Sequence, residues 1–377
     1  MKRIAIFGTD WNTSEYRKKN NLYGGVTYYR LIKPLVHLKG YEVDYYGANL
    51  LDIAKNKTVV EFWGDMMDKY DLFITKAIDN EEAIAALVFF CRKFNKKIIL
   101  DLDDNLFEVK SDQPAYELYK PTSPKRVALA TFLSMVDGIF VSTQPLKDYY
   151  EKYLKDVFNI DTPIFVLPNY CDLEDWNFKP VKKDPKKITI GWIGSTTHFN
   201  DLKLVIPAME RILKENKNVE FNLVGGLTEE DAIKLFSKMA DEVLNRVYVS
   251  SGTEAWEGYP EFVSKLTWDI GIAPLTGDTF NRCKSHIKWM EYAAYKIPCV
   301  ASRVYPYHQD ILDKKAIEDG VTGMLCDDKE WYYKLNKLVQ NKKLRTTIGN
   351  NAYKYIKKNL QYKDKEKLWL DAVSKFL

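Results

Sequence analysis

Cysteine is sparse in this sequence and forms no pattern. The five residues Cys91, Cys171, Cys283, Cys299 and Cys326 are odd in number, widely spaced and without a CxxC pair, which argues against a disulfide framework and a cysteine-based zinc site. Long apolar runs are also missing. Stretches such as Ala83 to Cys91 fall far below the roughly 20 residues that span a bilayer, and Ile4 to Phe7 is too short for a signal-peptide core. The expectation is a protein of the reducing cytosol without a transmembrane segment, with peripheral membrane contact left open. Nor is there an excess of one charge: 56 Lys and Arg face 52 Asp and Glu, a net of +4, so nothing general points to a polyanionic partner. Low-complexity tracts and 20 to 50-residue repeats are absent, as are a P-loop, a GxGxxG fingerprint and the Gly-x-Ser-x-Gly elbow of a hydrolase.

What is present is a globular composition, 46% apolar and 29% charged over 377 residues, enough chain for two domains. Aromatics reach 14%, with 25 Tyr, which favours stacking surfaces, although ordinary packing accounts for most of them. The pattern of a domain start occurs twice. Arg3 to Gly8 is a β-rich run closed by glycine ahead of a helical pattern from Val26 to Lys39, and Lys187 to Gly194 repeats it ahead of a helix from about Leu202 to Lys214. Further strands are expected at 42–46, 72–75, 97–102, 138–142 and 163–167, then at 219–224, 247–250, 269–273 and 298–301, alternating with helices. This predicts an α/β protein of two doubly wound (Rossmann-like) domains, with mainly parallel sheets, facing across a cleft. The boundaries are an N-terminal domain over 1–170, a Pro, Lys and Asp-rich linker over 171–186, and a C-terminal domain over 187–358. The remainder after Gly323-Met324-Leu325 reads as helical, and the last helix, about 359–377, is expected to pack back on the first domain.

In such a pair the ligand lies at the carboxyl ends of the strands. Gly24-Gly25 precedes the first helix after a loop from Thr9 to Tyr23, and Gly194-Ser195-Thr196-Thr197 follows the second domain's first strand. Both offer N–H or hydroxyl donors to phosphate oxygens, and both are equally readable as turns without a ligand. The densest constellation runs from Phe280 to Ser302. On a helix, Lys284, Lys288 and Glu291 share a face at i, i+4 and i+7. Two ammonium groups there oppose the macrodipole and suit a diphosphate, while the carboxylate suits two ribose hydroxyls. The alternative is a solvated face with a Lys288–Glu291 pair. Asp101, Asp103 and Asp104 end a buried-looking strand and suit acceptor binding, base chemistry or, without this two-domain plan, a metal. No metal site is assigned. Of four histidines, His37 reads as structural and His198, with Asp201 three residues on, as a phosphate or sugar contact.

These residues resemble the retaining group 1 (family 4) glycosyltransferases of the GT-B fold. The likeness is carried by Gly24-Gly25-Val26 with Pro34, Leu38 and Gly40 to Val43, by Leu167 to Asp172, by Ile190 to Gly194, by Lys288 to Ala294 with Ile297 to Ser302, and by Asp319 to Leu325. It spans nearly the whole chain in the family's order, and Asp101 to Glu108 looks like a segment of a subset of such enzymes. The resemblance implies transfer of a sugar from a nucleotide sugar to an acceptor hydroxyl, with retention; UDP- or GDP-sugars are the favoured donors and no further cofactor is expected, and assigning the charge opposite the diphosphate to Lys284, Lys288 and helix N-termini predicts no need of a metal. The C-terminal half would bind the donor and the N-terminal half the acceptor, a glycan, a lipid-linked sugar or a modified DNA base. By position, Glu291 matches the family's ribose-binding glutamate, and Gly24, Gly25, Gly194, Ser195 and Thr196 lie in the loops around the diphosphate, with Ser285 also on the donor side. The sequence departs from the family where the first glutamate of its paired motif falls on Cys283, and where loop Arg and Lys fall on Ser195 and Asn200. Lys284, Lys288 and Arg282 are expected to restore the charge, Asn281 or Arg282 the sugar contact, and Asp103, Asp104 and His198 to meet acceptor or donor sugar. Two other readings are a phage-type DNA-base glycosyltransferase and a catalytically silent nucleotide-sugar binding protein, the latter motivated by Cys283.

Overall fold

Runs of apolar residues buried on both faces become the parallel strands of two sheets, as continuous rather than alternating hydrophobicity requires. The structure, a computed structural model, describes residues 1–8, 23–36, 38–47, 54–76, 81–113, 116–252, 256–308, 310–311 and 314–377. His37 and nearly all of the loop from Thr9 lie outside the described residues. The first sheet comprises β1 (Lys2–Phe7), β2 (Tyr41–Tyr46), β3 (Leu72–Lys76), β4 (Lys97–Leu102), β5 (Gly138–Val141) and β6 (Ile164–Val166) in the order β2-β1-β3-β4-β5-β6. The second comprises β7 (Ile188–Gly194), β8 (Val219–Gly225), β9 (Val247–Ser250), β10 (Ile270–Ala273), β11 (Cys299–Ser302) and, after a two-residue hairpin of β12 (Asp310–Ile311) and β13 (Lys314–Lys315), β14 (Met324–Cys326). Its order is β14-β11-β10-β7-β8-β9, and every pairing in both six-stranded sheets is parallel. Strand order therefore reverses between β1 and β3 in one sheet and between β7 and β10 in the other, the two crevices where doubly wound sheets take ligands.

The expected two-sheet α/β class is what the chain forms, with local differences. The first helix is interrupted by a π turn at Tyr28–Ile32 between α turns Gly25–Thr27 and Lys33–Leu35. Pro34 cannot donate to the carbonyl four residues back and its ring crowds that carbonyl, so the ladder widens ahead of it. The helix expected from Leu202 splits into Phe199–Lys203 and Ile206–Glu215, with Pro207 in the first turn of the second piece. Some elements lie outside the sequence reading. Helix Val59–Lys69 opens with a Thr58/Glu61 capping box, and β14 is a three-residue edge strand just ahead of the expected helical tail.

One core lies against one face of the first sheet (Phe73, Leu87, Leu100, Phe132) and another fills the second domain (Trp192, Met209, Phe221, Leu335). The opposite face of the first sheet, with Ile4, Ile6 and Phe140, is covered by Trp369, Ala372 and Val373 of helix Glu366–Val373. A fourth cluster joins the halves, setting Tyr28, Tyr29, Tyr170 and Trp176 among Trp256, Trp289 and Tyr292. All five cysteines are free and buried. Among the described residues no helix is long and apolar enough to cross a membrane, and no group of three His, Cys, Asp or Glu side chains is placed to hold a metal ion.

Candidate functional site

A cavity of about 720 Å³ opens between the carboxyl ends of the two sheets. The N-terminal half contributes Gly25, Val26 and Tyr29 of the first helix and Asp103 and Asp104 beyond β4. The C-terminal half contributes the ends of β7 and β8, Gly252 beyond β9, and the segment from Lys284 to Glu291. Glycine makes the floor. Gly225 has φ +122°, and a Cβ on it would lie 1.9 Å from the Gly194 carbonyl oxygen. A Cβ on Gly194 would meet the Trp192 ring at 2.5 Å and Lys288 Nζ at 3.0 Å. Backbone is thus brought close to whatever occupies the cavity, and Gly226 N–H donates to Gly194 O at 2.9 Å, tying the two strand ends together.

The cationic wall differs from the expected helix face. The helix begins only at Ile287 (Ile287–Ala294), so Lys288 and Glu291 share it while Lys284 stands in the preceding turn. Lys284 Nζ reaches across the cleft to Asp104 Oδ1 at 3.2 Å and lies 4.4 Å from the centre of the Phe280 ring. Lys288 lies 5.6 Å from the centre of the Trp192 ring and has no ion pair among the described residues. Burial, reinforced by the charge of Lys284, lowers it to about 8. Glu291 is buried, and each of its oxygens accepts one tyrosine hydroxyl, Tyr29 at 3.1 Å and Tyr259 at 2.8 Å. Burial raises its carboxyl to about 7 against those bonds and Lys288. One acceptor direction on each oxygen remains for a ligand hydroxyl.

The three aspartates after β4 separate. Asp101 is consumed by structure: Arg30 on the π turn pairs with it at 2.7 Å, both side chains fully buried, and also donates to Asn169 Oδ1 at 3.1 Å and to the Leu167 carbonyl. Asp103 pairs with Lys76 at 3.0 Å, and that ammonium outweighs burial to hold its carboxyl below the usual range. Only Asp104 takes its cation from the other domain. His198 also lines the cavity. Its Nδ1–H donates to Asp201 Oδ2 at 2.7 Å, and Asp201 Oδ1 accepts from Thr276 N–H and Asn281 Nδ2, each at 2.8 Å. Burial, then Lys288 and Lys284, depress the imidazole far below its usual range, so it is neutral at pH 7. Burial raises Asp201 to about 6.

Not every expected residue comes to the cavity. Arg282 is exposed and does not line it, because the turn Thr279–Arg282 carries it outward. Asn281 is buried, and its Nδ2 is shared among Asp201, Thr276 and Asp278, so it supports His198 from behind. Neither lines the cavity, where the sugar contact is expected. Gly24 caps the first helix just behind the wall, while Gly25, Gly194, Ser195 and Ser285 line it. Ser195 Oγ is 2.8 Å from Thr197 Oγ1, and Ser285 Oγ accepts from Asn169 Nδ2 at 2.9 Å. Thr196 lies in the same loop. Cys283 is buried in the first domain's core, where its sulfur accepts from Asn105 Nδ2 at 3.5 Å. The sequence reading leaves out Tyr29, Trp256, Tyr259, Gly225 and Gly226. Gly225-Gly226 after a strand carries the same signal as Gly194, but the aromatics carry none in a chain this rich in them.

Residues 187–341 match the group 1 glycosyl transferases. No curated protein sequence matches the chain. Among solved structures, HepE of Anabaena in complex with UDP-glucose is 14% identical with a TM-score of 0.60, covering 100% of both chains. TarM of S. aureus is 15% identical with a TM-score of 0.59, over 83% of this chain, which spans only 57% of TarM. The pneumococcal O-GlcNAc transferase GtfA, solved with UDP and GlcNAc, is 14% identical with a TM-score of 0.56, covering 84% of this chain and 60% of GtfA. At such identities the likeness is one of fold, and the fold is GT-B.

Proposed function

We propose that the protein transfers a sugar from a nucleoside-diphosphate sugar to an acceptor hydroxyl, with retention at the anomeric carbon and without a metal ion. The observation that carries this is the cavity at the carboxyl ends of both sheets, in which Lys284 and Lys288 and a glycine floor stand close to the buried carboxylate of Glu291. The match of 187–341 to group 1 glycosyl transferases and the UDP-glucose bound by a protein of this fold support the reading.

In this reading the diphosphate lies over Gly194, Ser195 and the first turn of the helix at Gly25, whose N–H groups fall outside the helical ladder. Glu291, oriented by two tyrosines, holds the ribose hydroxyls. As the glycosidic bond breaks, negative charge grows on the leaving β-phosphate, and Lys284 and Lys288 favour that state electrostatically. Groups of this kind are worth about 10²–10³ in turnover each. No side chain is assigned as nucleophile; in the empty cleft Asp103, Asp104 and Glu291 are each held by partners. Asp104 and His198 face the acceptor or the donor sugar.

The test is a donor screen measuring release of nucleotide from UDP-, GDP-, ADP- and TDP-sugars, with and without candidate acceptors. Turnover of at least one donor is expected. Neither turnover nor binding of any would refute the proposal.

A further inference from the structure

Asp104 is the one carboxylate of its loop whose counter-ion belongs to the opposite domain. Asp101 is matched by Arg30 and Asp103 by Lys76, all within the N-terminal half, whereas Asp104 is held 3.2 Å from Lys284. The two partners differ in exposure: the Lys284 side chain is 11% exposed and that of Asp104 is 35%. Both line the cavity, beside a second ammonium, Lys288, that makes no ion pair among the described residues and feels Glu291, Asp201 and Asp104 only through space. Lys110 bridges to Asp278 at 3.0 Å and Asn200 to Asp112 at 2.7 Å outside the cavity lining, so the Lys284–Asp104 pair is one of several contacts that hold the halves together and the ion pair among them that lines the cavity.

Resting on the nucleotide-sugar reading, we infer that Lys284 exchanges partners during the cycle: it neutralises Asp104 in the empty cleft, transfers to the diphosphate when donor binds, and thereby releases Asp104 as a free acceptor for the incoming hydroxyl. An ammonium cannot make its best contact with both anions, and a diphosphate beside Asp104 is repelled by that carboxylate as long as Lys284 is shared. The entering donor therefore competes with Asp104 for one cation. Once Asp104 has lost it, an acceptor hydroxyl gains a charge-assisted hydrogen bond that the empty cleft does not offer. The exchange makes donor-first binding a property of one ion pair.

The test is calorimetric titration of UDP and GDP into wild type, Asp104→Asn, Lys284→Gln and the double variant, with Asp103→Asn as the neighbouring control. Asp104→Asn is expected to tighten nucleotide binding by about threefold to tenfold in the Lys284 background, and the gain is expected to vanish in the Lys284→Gln background. Asp103→Asn, whose ion-pair partner is Lys76 and which feels Lys284 only through space, should show a distinctly smaller dependence on Lys284. A gain of equal size with and without Lys284 would mean that Asp104 acts by simple repulsion, and no gain would mean that it does not compete; either overturns the exchange while leaving the nucleotide site intact. Failure of the wild type to bind UDP or GDP overturns the exchange together with the reading beneath it. Asp104→Ser replaces Asp104→Asn should the latter not fold, as judged by melting.

Discussion

Replacing Glu291 by Gln removes a charge and almost no volume, and the structure gives two separable consequences. The first is on stability. Burial lifts this carboxyl from 4.5 to about 7, so between those two pH values the folded protein holds a proton that the unfolded chain has lost. Stability then falls as pH rises across that window, by about 3 kcal/mol in all. Glu291→Gln cannot titrate, so the variant should lose this decline and stand relatively more stable at pH 8 than at pH 5. The second is on binding. Two ribose hydroxyls donating to an ionised carboxylate are worth about 1.5 to 3 kcal/mol, so affinity should drop roughly tenfold to a hundredfold. UDP-glucose is the useful probe, because its diphosphate does not titrate near neutrality. Wild-type affinity should rise as pH passes up through about 7, where Glu291 ionises, and fall above about 8, where Lys288 loses its proton. Glu291→Gln should keep the fall and lose the rise. Calorimetric titration at pH 6, 7, 8 and 9, with urea denaturation at the same values, reads both effects. Equal affinities with one pH profile would remove Glu291 from the nucleotide site, and a pH-independent wild-type stability would contradict its burial as a charged group.

A nucleoside diphosphate should raise the melting temperature, a hundredfold excess over its dissociation constant being worth about 2.7 kcal/mol; no shift with UDP, GDP or ADP would count against the site. Turnover should survive chelator, since the proposed site sets Lys284 and Lys288 opposite the diphosphate, and complete loss restored by manganese or magnesium would refute that. Arg30→Met should cost about 3–5 kcal/mol by leaving Asp101 buried and unpaired, read by urea denaturation, and a loss below about 1 kcal/mol would show the pair to be dispensable. Gly225→Ala, strained at φ +122° and driven against the Gly194 carbonyl, should abolish UDP binding at a lowered melting temperature, and normal affinity would place the diphosphate elsewhere.

The doubled start is legible because each half opens with an apolar run ended by glycine, and such runs make parallel strands almost regardless of the residues after them. Glu291 and Lys288 are legible because helical spacing puts them together. Lys284 is not, since the helix starts three residues later than periodicity suggests, and its partner at the cavity is a carboxylate in the other domain. The same applies to Asp101, whose sequence context matches that of Asp103 and Asp104. Its role is decided by Arg30, 71 residues earlier, which no local pattern links to it. Tyr29 and Tyr259 gain meaning only from converging on one carboxylate. Arg282 and Asn281 show the opposite case, polar residues in the right stretch that a short helical turn directs outward or inward, out of the cavity lining.

The helix Glu366–Val373 closes a face of the first sheet whose own last strand ends at Val166. During synthesis, Ile4, Ile6 and Phe140 must wait for about 200 further residues, some 10–40 s at ordinary rates of elongation, before Trp369 arrives to cover them. The half translated first is therefore finished last. A fragment ending just beyond β6 would present that apolar face to solvent, and expressing the first sheet with its helices alone calls for grafting 359–377 behind Leu167.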